Sequence, residues 1–247
     1  MRSRRTLRRA LVSASLALTT VVVSLSLFAD PAPAATSNSS HSTTSTAPVS
    51  GVVAARAQLA AAIVVRQTAL RRVLASAAAS KTIVPADQSV LTALLTQALA
   101  GMNALAVKVP TDTTVAEVAA DQTDMVRSYR VLALQVPAGD MVLAADLAAA
   151  IEADLTARLP ALQALVANQV SPVPASIKTA FTDFQRELTA AQSATGGVSS
   201  SLLALLPGSY PGNQSVLASA RSDLANVRRD LGLAVTDLNA IVTNVHH

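Results

Sequence analysis

Leu217, Leu224, Leu231, Leu238 and Val245 recur every seven residues, and Ala220, Val227, Ala234 and Ile241 repeat the period three places behind them. Apolar residues at such a and d positions make a helix that must pack along one seam. The pattern predicts a single helix over "SVLASARSDLANVRRDLGLAVTDLNAIVTNV", about 45 Å long at 1.5 Å per residue. Arg221 and Arg228 then take e positions, and Asp223, Asp230 and Asp237 take g positions. Opposite charges beside a seam bias helix orientation. The seam can face helices of the same chain or a second chain. Alanine at two d positions permits close packing within the chain and weakens a free-standing dimer.

The same period runs upstream. Val52, Leu59, Ile63, Leu70, Val73, Leu74 and Ala77 share one face at 100° per residue. Arg56 and Arg66 beside it read as long stems over the core with wet heads. Pro85 suits the first turn of a second helix, striped by Leu91, Leu94, Leu95, Ala98, Leu99, Met102 and Leu105. Thr114 and Glu117 form a capping-box pattern opening a third helix, which runs through Tyr129. Ile177, Phe181, Phe184 and Leu188 stripe a later one, with Ser171 or a neighbour as its cap. Gly196-Gly197 bends its far end, and Asn213 caps the heptad helix. No strand pattern survives. The expected fold is all-α: an elongated antiparallel bundle of about five helices over residues 51–247. Residues 51–81 carry five basic and no acidic residues, while 111–158 carry eight acidic and three basic. The first and third helices are therefore expected side by side.

The chain opens with "MRSRRTLRRA", an uncharged run of 20 residues, and the small-residue site Ala32-Pro33-Ala34. That order predicts an export signal over residues 1–34. Its length also admits an uncleaved anchor, but the six Ser and Thr within it and the site after it favour cleavage. "SRRTLRR" resembles a twin-arginine signal, so either export route is open. No cysteine follows for lipidation. Residues 35–50 are Ser/Thr-rich and read as a disordered linker, bare or O-glycosylated. The whole chain has 19 basic and 15 acidic residues, but the leader holds five Arg and Asp30. The rest carries 14 of each, a net charge of zero. That leaves neither an overall basic charge nor interleaved aromatics for a nucleic-acid partner, so none is expected, and leaves membrane attachment only to an uncleaved leader.

Little chemistry is available. The histidines are His41, His246 and His247, and there is no cysteine, so neither a serine triad nor a His/Cys zinc site can form. No phosphate loop or calcium loop occurs. The paired carboxylates Asp121/Asp124 and Glu152/Asp154 read as solvated helix faces. No catalytic residue, metal site or cofactor is expected. One stretch, "SYRVLALQVPAGD" (128–140), concentrates rare residues. Val115, Val118, Val126, Tyr129, Ala133 and Val136 share a helical face with Asp140 beyond Pro137. Pro137 should bend or stop the helix, and Asp140 should cap its restart. Tyr129 and Asp140 are the candidate ligand residues of this stretch.

Tyr129-Arg130-Val131, Pro137, Ala144-Ala145-Asp146, Tyr210-Pro211 and the heptad helix together resemble a recurrent type of uncharacterised secreted Ala-rich helical, coiled-coil-like protein of high-GC Gram-positive bacteria. The resemblance spans residues 50–245 and implies an exported helical domain. A basic residue or His often follows the proline in that type, whereas Ala138-Gly139-Asp140 stand here. The resemblance carries no established activity and transfers no functional residue. The expectation is a secreted or cell-envelope-associated helical protein with a structural or interaction role through its helix faces. Its partner would be a protein or the cell wall, with oligomeric state open. The alternatives are a binding module for a small apolar ligand near Tyr129, Phe181 and Phe184, and an enzyme using carboxylates alone.

Overall fold

The computed structural model describes residues 48–167 and 173–244, and among them there are helices and turns but no strand. The all-α bundle is therefore found. The helices are α1 (Pro48–Ala79), α2 (Pro85–Lys108), α3 (Val115–Arg127), α4 (Val136–Ala167), α5 (Ala175–Thr195), the single-turn α6 (Val198–Leu203) and α7 (Gln214–Asn244). A π-helical turn, Val131–Gln135, precedes α4. The leader, most of the linker, Ser171, Val245 and the histidines lie outside the described residues. The linker boundary at residue 50 is corrected: α1 begins at Pro48, because a proline fits the first turn of a helix, where no amide donor is needed.

Where one bundle is expected over 51–247, two compact units form. Of the described residues, one unit holds 48–143 and 200–217, and the other 144–199 and 218–244. In the first unit α1 packs along α2 and against α3, as the charge distribution suggests. A Cβ at Gly51 would lie 3.9 Å from Val115 Cγ2, so α1 and α3 meet near their starts. The buried face of α1 is the expected one, with Leu59, Ile63, Leu70, Val73 and Ala77 against Leu91, Leu95, Ala98, Met102 and Leu105 of α2. Gln67 Nε2 donates to Asn103 Oδ1 at 2.9 Å across that pair. Arg66 donates to its own Ala62 carbonyl, and burial pushes its guanidinium down from the usual arginine range. Arg56 Nε is buried without a hydrogen bond. The wet heads expected for both arginines are thus only partly so.

The capping box is formed: Thr114 Oγ1 accepts from Glu117 N at 3.2 Å, and Glu117 Oε2 accepts from Thr114 N at 2.9 Å. The Thr113 amide first, and the Thr114 amide second, donate to the Glu117 carboxyl and hold it below its ordinary range. The face of α3 needs correction. Val118, Asp121 and Met125 are its buried residues, while Val115 and Val126 are 52% and 40% exposed. A buried aspartate made the true face look polar. Lys108 pairs with Asp121 and satisfies one of its oxygens.

The second unit is built on the heptad helix. Val227, Leu231, Ala234, Leu238 and Ile241 pack with Ile151, Leu155 and Leu162 of α4 and Ile177, Phe184 and Leu188 of α5. The seam therefore faces its own chain. Each Leu or Ile taken from water contributes roughly 1.5–3 kcal/mol, while an exposed ion pair contributes about 0–1 kcal/mol. The apolar seam, not its flanking charges, decides the pairing. α5 stops at Gly196, and Gly197, with φ 80°, turns the chain into α6. Asn213 precedes α7, but its side chain donates to the Leu206 carbonyl at 3.0 Å, and its Oδ1 has no partner. It ties down the preceding loop instead of capping the helix.

Two carboxylates of α4 are inside this unit. Ser199 Oγ donates to Asp146 Oδ1 at 2.8 Å, and Thr195 Oγ1 donates to Glu152 Oε1. Each carboxylate pair therefore splits: Asp121 and Glu152 are buried, and Asp124 and Asp154 face outward or half outward. Burial is the main cause that pushes the Glu152 carboxyl above the ordinary glutamate range, and the Thr195 hydroxyl pulls it only partly back. A raised folded-state pKa means the native protein holds a proton the unfolded chain has released. That stability is full below the unfolded pKa, about 4.3, and is lost as pH rises through the folded one. Glu152→Gln should therefore raise Tm at about pH 7, and should flatten the fall of Tm with pH just above the ordinary glutamate range. A variant less stable than the parent at neutral pH would contradict this assignment.

Candidate functional site

The 128–140 stretch is not a helix bent at Pro137. α3 ends at Arg127, and Ser128 closes it, with Ser128 N donating to Asp124 O at 2.9 Å and its Oγ to Asp124 Oδ1 at 2.7 Å. Arg130 then takes the left-handed conformation, φ 46° and ψ 33°, the only such non-glycine residue among those described. A side chain held there costs about 1–3 kcal/mol and persists only where its surroundings impose it. Its carbonyl accepts from both Leu134 N at 2.8 Å and Gln135 N at 3.3 Å, which widens the next turn into a π-helix. Pro137 falls in the first turn of α4, where its missing donor is harmless. The proline that does lie inside a helix is Pro160. The break thus comes at Ser128–Arg130, ahead of the proline.

The two candidate residues are engaged by different helices. The Tyr129 ring lies on α2 at Gly101: a Cβ there would meet two ring carbons and the hydroxyl oxygen between 2.0 and 2.6 Å. Asp140 does not cap a helix. It lies within α4, and its Oδ2 accepts from Arg72 Nη2 of α1 at 2.6 Å. Its Oδ1 is buried without a hydrogen bond. Phe184 and Phe181 belong to the other unit, where Phe184 is fully buried in the core and Phe181 packs against it. Tyr129, Phe181 and Phe184 are thus each explained by packing in their own unit.

Sequence reasoning missed the residues that stand out here. Arg130 places its guanidinium carbon 4.6 Å from the centroid of the Tyr210 ring, a cation–π contact that offsets part of its backbone strain. Gln135, at the end of the π-turn, keeps Oε1 buried without a hydrogen-bond partner. It lines a cavity of about 30 Å³ whose walls include Leu91 and Leu94 of α2, Leu134, and Leu202 and Leu205 near α6. The only sequence signal was a lone glutamine among leucines and valines.

A second polar group sits where α2 meets α3. Asp112 and Asp121 are 5% and 2% exposed, and each leaves one oxygen without a hydrogen bond. Burial first, and the neighbouring Asp121 second, push the Asp112 carboxyl up. The hydrogen bond to Asp121 holds the Lys108 ammonium above its usual range. Lys108 thus supplies the cation this pair calls for. No group of three or more metal-ligating side chains occurs among the described residues, and those residues include no His and no Cys. Compared with family models, curated proteins and solved structures, the chain matches none.

Proposed function

We propose that this protein is an exported, cell-envelope-associated helical protein that works by presenting a helix face to a protein or cell-wall partner, not by catalysis. The observation that carries the reading is α1. A surface helix normally turns a polar face to the solvent. Here one face is covered by α2 and α3, while Val53, Val64 and Val65 on the other are 58%, 57% and 57% exposed. Ala54, Ala57, Ala60 and Ala61 between them are exposed as well. Of the exposed residues between Val53 and Val65, only Gln58 is polar. Small side chains on a bare face let another backbone come close, and continuous exposed apolar patches mark interaction sites. α2 adds to the same unit: its apolar window within Pro85–Thr111 is only 28% buried. The leader pattern of residues 1–34 and the resemblance to secreted helical proteins support the compartment.

The test is fractionation of cells expressing the full chain, as parent and as Val53→Asp/Val64→Asp. Both positions are exposed, so both proteins should share one Tm. The parent should be retained with the envelope and the double variant released to the medium. Equal partitioning of two equally stable proteins would overturn the reading.

A further inference from the structure

We propose that the cavity beside the π-turn is a binding site for a neutral aliphatic molecule bearing one hydrogen-bond donor, an alcohol being the simplest member of the class. This stands apart from the α1 face and does not depend on it.

Three unusual features of the first unit converge here. Arg130 is strained, and its doubly accepting carbonyl forces the π-turn. π-turns inside helices recur at functional sites. The turn delivers Gln135 to a cavity otherwise walled by Leu, Val, Ala, Gly and Pro. Gln135 Oε1 is buried and accepts nothing, so its desolvation is left uncompensated.

The chemistry of the occupant follows from the lining. An orphan oxygen acceptor calls for a donor. No charged residue lines the cavity, so an ion would enter without a counter-charge and be rejected by desolvation. Water is a poor fit, because a buried water needs two to four polar partners, about three on average, and this lining holds a single polar side chain, Gln135. The cavity volume of about 30 Å³ is two to three times the ~10–15 Å³ a single water needs. It accepts a hydroxyl with a short alkyl stem. Leu91, Leu134 and Leu202 would cover the stem while Gln135 Oε1 accepts from the hydroxyl.

The experiment uses the full chain with labelled Leu and Val methyl groups, titrated with 1-propanol, 1-fluoropropane and propionate, and followed by NMR. With 1-propanol, the methyls of Leu91, Leu134 and Leu202 should shift along saturable curves. 1-Fluoropropane, which lacks the donor, should bind about fivefold more weakly, as loss of one neutral hydrogen bond implies. Propionate should not bind. Gln135→Leu should erase the preference for the alcohol over 1-fluoropropane while leaving the fold intact by circular dichroism. Gln135→Glu, which keeps an acceptor but adds charge, is the second variant and should still prefer the alcohol at pH values where it is protonated. Shifts that grow linearly without saturating, propionate binding as well as propanol, or a preference unchanged in Gln135→Leu would each overturn the site.

Discussion

Phe184→Ala should cost about 3–5 kcal/mol in denaturant unfolding, the range for removing a buried phenylalanine ring. Phe184 has no exposed surface and sits among residues of α4, α5 and α7. Its nearest apolar neighbour along α5, Phe181, is only partly buried. Phe181→Ala should therefore cost clearly less, because its ring already meets solvent. Globular domains hold only about 5–15 kcal/mol in total, so the Phe184 variant should be partly unfolded at modest urea concentrations. Ala234→Leu would probe the same core from the opposite direction, since Ala234 on the α7 seam is also fully buried and added methylenes there must displace neighbours. Near-equal losses for Phe184→Ala and Phe181→Ala would mean that the α5 stripe is not the wall of this core.

The α7 seam was legible because its period is dictated by burial alone. Every a and d position from Leu217 to Ile241 except Leu224 is buried. The capping box was legible for a different reason: Thr114 and Glu117 act over three residues, without help from the fold. The misreadings share a cause as well. A helical wheel drawn from Val115 to Val136 assumes one continuous helix, and Arg130 interrupts it. Nothing in an arginine's chemistry announces a left-handed backbone. The strain is tolerated because Tyr210, 80 positions later in the sequence, lies under its guanidinium. Long-range partners explain the other errors too. Asp121 is buried because Lys108 comes from another helix to meet it, and Asp140 is recruited by Arg72. Local signals therefore located the helices and most core faces. The candidate cavity depends on which distant side chains arrive, and one glutamine among leucines was its only trace.

Gly101→Ala should destabilise the protein, and in a Tyr129→Ala background the same substitution should stabilise it. Within a helix, glycine to alanine normally gains about 0.5–1 kcal/mol, because the glycine loses more conformational freedom on folding. Gly101 lies inside α2, but the three atoms nearest to its missing Cβ, at 2.0, 2.3 and 2.6 Å, all belong to the Tyr129 side chain, two ring carbons and the hydroxyl oxygen. No real Cβ is tolerated that close, so the ring must leave its seat, and overpacking of this kind costs about 1–3 kcal/mol. The clash outweighs the helix gain. Once Tyr129 is truncated, the obstruction is gone and the helix gain alone remains. Gly232→Ala on α7, where nothing lies within 4 Å of the missing Cβ, supplies the control and should stabilise by about 0.5–1 kcal/mol. A double-mutant cycle measured by urea denaturation reads the coupling directly, and contacting residues commonly show 0.5–3 kcal/mol of it. Destabilisation by Gly101→Ala of the same size in both backgrounds would place the tyrosine ring elsewhere. The sign reversal identifies Tyr129 as the residue that seats the end of α3 on α2. It also assigns the tyrosine a packing role, and the buried polar atoms of this stretch without a hydrogen bond are then Arg130 Nε, Gln135 Oε1 and Asp140 Oδ1.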